Sequence, residues 1–260
     1  DLRDPEQVQE FVDHSWYKYP EGKKGLHPWD GITDQDYGLP KGSVGTNTKF
    51  SWIGSEGKYS WIKSPRWKGH MMEVGPLARL IVSIAKDVKH FKEPALELLK
   101  ELNLPVDAIY STLGRHAARA LECRWSAHKM VQYVDDLTAN IRAGDEAANM
   151  DFWEPKTWPK YCKGVGFCEA PRGALGHWCV IRDTRLENWQ AVVPTTWNAS
   201  PRSDEGQQSA FETSLMGTPL ADPKRPLEII RTIHSFDPCL ACASHVFDPE
   251  GKELCNVKVR

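Results

Sequence analysis

The segment SFDPCLACASHV, Ser235 to Val246, sets Cys239 and Cys242 in a Cys-x-x-Cys pair and places His245 three residues beyond the second. Such a pair brings two sulfurs close enough to share a metal or to close a disulfide, so spacing alone does not choose. A c-type haem needs the histidine directly after the second cysteine, and here Ala243 and Ser244 intervene. A thioredoxin-like dithiol belongs early in a βαβ unit at a helix start, whereas this pair follows PLEII near the C-terminal end. A structural zinc needs four ligands. Cys239, Cys242 and His245 supply three at most, and no second Cys-x-x-Cys stands anywhere in the chain. Two reduced, buried thiols form the reading without chemistry, and the adjoining DPC and CxxH weigh against it. Thiolate sulfur selects transition metals over magnesium, so the segment reads as half of a soft-metal site whose remaining ligands lie outside this sequence.

Composition agrees with chemistry before architecture. Seven cysteines in 260 residues are an odd number without the dense spacing of a disulfide-framed domain, which favours reduced or metal-bound thiols. A formal charge of -2 with mixed signs argues against a nucleic-acid surface. No apolar run approaches the roughly 20 residues of a membrane span, so the chain by itself is expected to be soluble. It opens on DLRDPEQ, with no basic leader or apolar signal core, and no export signal is read from it. Eleven Trp, many in Pro-rich and Gly-rich stretches such as HPWDG and TTWNASP, point to long loops pinned onto a core or a partner.

The elements that must position the cysteine segment follow from periodicity. Residues 1 to about 48 read as extended surface structure after a short helix at Asp4 to Trp16. Two apolar runs, Phe50 to Ile53 and Tyr59 to Ile62, flank GSEG as a hairpin. From Pro76 the spacing turns helical, with Leu77, Leu80, Ile81, Ile84 and Val88 on one face. A shorter helix is expected over Pro94 to Leu102. The longest runs from a cap at Ser111 or Thr112 to Gly144, with Leu113, Ala117, Leu121, Ala127, Val131, Val134, Thr138 and Ile141 as its apolar stripe and a bundle core as the consequence. HWCVIRD and ENWQAVVPTTW have the lengths of strands, helices are expected near Gln207 to Met216 and Leu227 to His234, and DPEG turn chemistry suggests a small strand or hairpin over Val246 to Arg260.

SFDPCLACASH resembles the C-terminal metal-binding motif, D-P-C-x-x-C-x-x-H, of the large subunit of nickel-iron hydrogenases. GVGFCEAPRGALGHW (Gly164 to Trp178), VVPTTWNASPR (Val192 to Arg202) and EVGPLAR (Glu73 to Arg79) are similar to further motifs of that family. With EFVDHSWY and YSWIKSPRW they spread over nearly the whole chain in the family's order. Spacing and tail look closest to the membrane-associated, respiratory uptake branch. Family large subunits are about twice this length and carry another Cys-x-x-Cys near their N-terminus, so the resemblance implies a C-terminal half.

The resemblance also implies roles. Cys239 is a terminal nickel ligand, and Cys242 bridges nickel to an iron carrying carbonyl and cyanide. Arg172 holds its guanidinium over the open metal position, Asp237 pairs with it, and Pro171 shapes the same wall. Unaided, Arg172 reads as a surface ion pair and Asp237 as a helix or turn cap. Thr195 corresponds to a hydroxyl donor to a cyanide, preceded by Pro194; without the family it reads as a strand-end threonine. His245 and the backbone carbonyl of Ala191 match a Mg2+ site. A maturation protease cuts between His245 and Val246 once nickel-insertion proteins have loaded the site. Cys123, Cys162, Cys168, Cys179 and Cys255 match no ligand position and read as packing residues, and His177 as a core residue or a neighbour of the site.

The fold expected is α+β, mainly helical: a long-helix bundle core with small β hairpins and extensive loops. One domain is expected over 1–260, with a loop and hairpin region at 1–70, long helices at 71–150, a metal-site region at 151–245 and a cleavable extension at 246–260. The function implied is reversible oxidation of H2 at a Ni-Fe centre. Electrons leave through an iron-sulfur small subunit toward a membrane cytochrome b, on the periplasmic side of the inner membrane, the precursor being cytoplasmic. The alternative is a non-catalytic apo half that docks to a partner during maturation.

Overall fold

VQEF forms strand β1 (Val8–Phe11), where a helix over Asp4 to Trp16 was expected. Val8 and Glu10 are buried while Gln9 and Phe11 are half-buried, and this period of two suits a strand that finds partners on both edges. The structure, a computed structural model, describes residues 3–36, 57–145, 147 and 154–239, and the strands 243–247 and 253–258 by their backbone. Strands β2 (Tyr17–Lys18), β3 (Gly25–Leu26), β4 (Asp34–Gln35) and β5 (Ser64–Trp67) follow. β3-β1-β5 make an antiparallel sheet in which Val8 faces Trp67 and Glu10 faces Pro65; β2 pairs with β4. The run Phe50 to Ile53 and most of GSEG lie outside the described residues. Tyr59 to Ile62 form no strand beyond the bridge of Ser60 to Ser15.

The helices are α1 (Pro76–Ala85), α2 (Lys89–Glu101) and α3 (Thr112–Arg142). Pro76 stands at the start of α1, where its missing N–H costs nothing. The Ser111 hydroxyl accepts a 3.0 Å bond from Gly114 N–H and caps α3. Arg79 of α1 donates Nε and Nη2 to the two oxygens of Glu122 on α3, at 2.5 and 2.7 Å. Leu77, Leu99 and Ile109 form one buried cluster, and Leu80, Ala95 and Ala118 another.

The expected stripe on α3 is not buried along its length. Leu113 is 79% exposed, and Val131, Val134 and Ile141 are also exposed. Only Gly114, Arg115 and Ala118 of this helix are buried. The reason is length: at 1.5 Å per residue the 31 residues of α3 make a rod of about 46 Å, and the 10 and 13 residues of α1 and α2 cover less than half of it.

Strands β6 (Tyr161–Ala170), β7 (Gly173–Arg182) and β8 (Arg185–Val192) form a sheet in that order. The β7–β8 turn has positive φ at both Asp183 and Thr184, the signature of a tight hairpin. β8 ends at Val192, and PTTWN forms a short helix, α4 (Pro194–Asn198), so Thr195 is helical and not a strand end. Pro194, at the first helical position, presets the backbone angle that starts the turn. Helices α5 (Ala210–Leu215) and α6 (Leu227–His234) come next, α5 opened by a capping box of Ser209 and Glu212. The tail forms the antiparallel pair β9 (Ala243–Phe247) and β10 (Glu253–Lys258), with His245 opposite Asn256.

Two compact units result: Asp1–Gly75 with Lys163–Val180 and Glu187–Arg260, and Pro76–Cys162 with Ile181–Leu186. The core of the first is Val8, Trp178, Val192 and Trp197, with Trp29, Met72, Val74 and Val165 packed against it. Fully burying each of the two valines contributes about 1.5–3 kcal/mol. Trp29 also donates Nε1–H to the Gly164 carbonyl at 3.1 Å, which pins a loop to β6 as the tryptophan usage suggested. Among the described residues no helix is long and apolar enough to cross a membrane.

Candidate metal centre

Cys239 is delivered by the end of α6. The Ser235 hydroxyl, fully buried, donates to Thr232 O at 2.6 Å, and the Phe236 ring packs 4.7 Å from that of Phe211. Asp237 then takes a left-handed conformation, φ 54°, while its N–H donates to His234 O at 2.9 Å. Such a conformation in a non-glycine residue costs on the order of 1 kcal/mol, and aspartate is among the side chains that tolerate it. Pro238 bars any further helix, and the chain leaves α6 with Cys239 exposed.

Cys239 is held from α4. Its backbone N–H donates to Thr195 Oγ1 at 3.0 Å, and Thr195 is only 4% exposed. A hydroxyl that accepts this bond still has its own hydrogen to donate. Arg172 stands in the turn between β6 and β7, and its Nη2 lies 3.4 Å from Asp237 Oδ1. The Arg172 Nε is buried with no hydrogen-bond partner among the described residues. Three segments distant in sequence thus bring together Arg172, Thr195, Asp237 and Cys239.

Pro171 lies exposed in the Arg172 turn, Pro194 is buried at the head of α4, and Ala191 is exposed near the end of β8. Cys242 lies outside the described residues, and His245 is described only as backbone in β9. Among the described residues no three His, Cys, Asp or Glu side chains converge to hold a metal ion. The local chemistry nonetheless fits a thiolate-bound centre carrying anionic ligands. It offers an exposed sulfur, a hydroxyl with a free proton, and a guanidinium with one unsatisfied buried donor.

His177 is half-buried on β7. Its Nδ1 accepts a 2.9 Å bond from Trp189 Nε1 of the neighbouring strand. Cys123 and Cys168 are exposed, contrary to a packing role, because no described residue covers them on α3 and β6; Cys162 and Cys179 are partly buried. Beside Ala191, Gln190 Oε1 accepts a 3.2 Å bond from Lys63 Nζ. Lys63 acts electrostatically on Glu10, which is 3% exposed and whose Oε2 has no hydrogen-bond partner among the described residues. Burial pushes the Glu10 carboxyl above its ordinary value, partly offset by Lys63, and pulls the Lys63 amine below its own. Sequence reasoning missed this pair, since EFV and WIK carry no mark of burial. It also missed Asn198, whose side chain bonds a residue 124 positions away.

Residues 1–245 match the family model described as nickel-dependent hydrogenase. The chain is 59% identical to the uptake hydrogenase large subunit of Bradyrhizobium diazoefficiens and 52% identical to the hydrogenase-1 large chain of Escherichia coli, in each case over its whole length. It spans 44% of the length of either relative. Among solved structures it is similar to the [NiFeSe]-hydrogenase of Desulfomicrobium baculatum, with a TM-score of 0.70 at 33% identity over 93% of this chain and 44% of that one.

Proposed function

Because the chain belongs to the nickel-dependent hydrogenase family, we propose that it is the metal-site half of an uptake hydrogenase large subunit. In this reading Cys239 and Cys242 would hold the nickel-iron centre through their thiolates, with two further thiolates coming from the N-terminal half that the longer relatives possess. The bound Ni-Fe centre, with carbonyl and cyanide on its iron, supplies the reversible heterolytic oxidation of H2. The thiolates are soft, charge-donating ligands that can accept a proton on sulfur. The Arg172 guanidinium would supply a fixed cation beside the bound centre, where preorganised charge would stabilise charge separation in the splitting of hydrogen. Asp237 restrains that guanidinium, and Pro171 walls the turn. Thr195, preset by Pro194, accepts from the Cys239 amide, and its own proton would be available to a cyanide of the bound centre. His245 and the Ala191 carbonyl are assigned to Mg2+. Electrons pass to an iron-sulfur small subunit and on to a membrane cytochrome b, on the periplasmic side of the membrane.

The observation that carries this reading is the meeting of the Arg172–Asp237 pair with Cys239, itself tied to Thr195 at 3.0 Å. Residues 246–260 are assigned to a cleavable extension, and the family match supports this by stopping at His245 while the relatives align through the end of the chain. The test co-produces the complete large subunit with its small subunit and measures nickel, iron and the infrared bands of bound carbonyl and cyanide. Cys239→Ser and Cys242→Ser should lose nickel and hydrogen-dependent dye reduction together, because a hydroxyl does not replace a soft thiolate. Wild-type metal content and activity in either variant would overturn the assignment.

A further inference from the structure

Asn198 is 2% exposed, and its carboxamide spends both of its polar atoms on one distant residue. Its Oδ1 accepts from Val74 N–H at 2.9 Å, and its Nδ2 donates to Val74 O at 2.9 Å. The side chain thus pairs with the Val74 peptide as a neighbouring strand would, and joins α4 to the segment just before Gly75. Thr195 lies three residues earlier on the same short helix, on the same face.

The other side of that segment is pressed against the Arg172 turn. Gly75 and Gly173 adopt φ of 123° and 138°, values that side chains rarely allow. A Cβ on Gly173 would fall 2.7 Å from Gly75 N and 2.9 Å from the Val74 carbonyl carbon, and one on Gly75 would fall 2.8 Å from Arg172 O. Two backbones meet here with no room for a methyl group. Val74 itself packs against the cluster that contains Trp197 of α4 and Trp178 of β7.

We infer that Asn198 is a positioning residue: through the Val74–Gly75 peptide it fixes the Thr195 hydroxyl and the Arg172 guanidinium in one rigid frame. In the proposed site neither Asn198 nor Val74 is a metal ligand. The amide sets the distance between Thr195 and Arg172, so its loss loosens both at once. This inference rests on the function proposed above for its consequence, but not for its geometry.

The experiment has two arms. In the metal-free chain, amide hydrogen exchange is followed at Val74 and Cys239 in the wild type, Asn198→Asp and Asn198→Ser. Aspartate keeps the acceptor for Val74 N–H but sets a lone pair against Val74 O; serine keeps at most one bond. Exchange should quicken about tenfold at Val74 and about twofold to fivefold at Cys239 in both variants, with α1 and α3 amides unchanged. In the assembled enzyme, both variants should retain nickel and iron, shift the cyanide infrared bands, and turn over hydrogen at least about tenfold more slowly, with KM little changed. Wild-type exchange at Cys239 in both variants overturns the inference. So does faster exchange accompanied by unshifted cyanide bands, which would leave Asn198 with a purely architectural role. If the wild-type enzyme shows no such bands, the proposed function falls, while the exchange arm still decides whether Asn198 holds the frame. A variant that fails to fold in either arm is read through the other, and global unfolding of both overturns the claim of a local frame.

Discussion

Replacing Thr195 with valine removes one hydroxyl from a buried site and leaves a side chain of similar shape. What is lost is the acceptor for the Cys239 N–H, a bond of 3.0 Å. One intramolecular hydrogen bond is worth about 1 kcal/mol net, more if the abandoned group stays buried. Thr195 is buried but Cys239 is exposed, so water can recover part of the loss and the lower figure applies. About 1 kcal/mol corresponds to roughly a fivefold change in a local opening equilibrium. Amide hydrogen exchange on the metal-free chain reads that equilibrium directly. Exchange at Cys239 should quicken about fivefold in Thr195→Val and return to the wild-type rate in Thr195→Ser, whose oxygen can take the same place. Amides of α1 and α3 serve as internal controls, since their bonds lie in the other unit. Unchanged exchange at Cys239 in Thr195→Val would refute the idea that α4 holds the cysteine segment.

Three further outcomes are expected. Arg172→Lys should keep the metals in the assembled enzyme yet turn over hydrogen about a hundredfold to a thousandfold more slowly, because a single flexible amine cannot serve both Asp237 and the metal position; normal turnover would make Arg172 structural. Burial raises the Glu10 carboxyl, so above its ordinary value the native chain keeps a proton that the unfolded chain has lost, and stability falls as pH rises through that window. Glu10→Gln should flatten this fall in urea denaturation between pH 4 and pH 8, and an unaltered slope would show that the burial carries no such linkage. Intact-mass measurement should find active, nickel-loaded protein ending at His245 and protein made without nickel ending at Arg260; active protein retaining Arg260 would remove the role assigned to the tail.

Local bonds made part of this molecule legible before any tertiary contact. Pro76 opens α1 and Ser111 caps α3, because a fixed backbone angle or a side chain bonding three residues ahead acts within one turn of chain. The chemistry of Cys239 and Cys242 was equally local, being a property of thiolate sulfur at a given spacing. Even so, PTTWN read as the end of a strand until the structure showed a helix. Burial could not be read in the same way. VQEF became a strand because β3 and β5 supplied edges, and the stripe on α3 stayed largely exposed because two short helices cannot cover a long one. The site itself is a set of meetings between distant segments: Thr195 with Cys239, Arg172 with Asp237, Asn198 with Val74. Sequence alone determined which groups could do chemistry. The tertiary structure decided which of them meet, because a hydrogen bond of 3 Å depends on how whole segments pack and leaves no periodic trace in the chain.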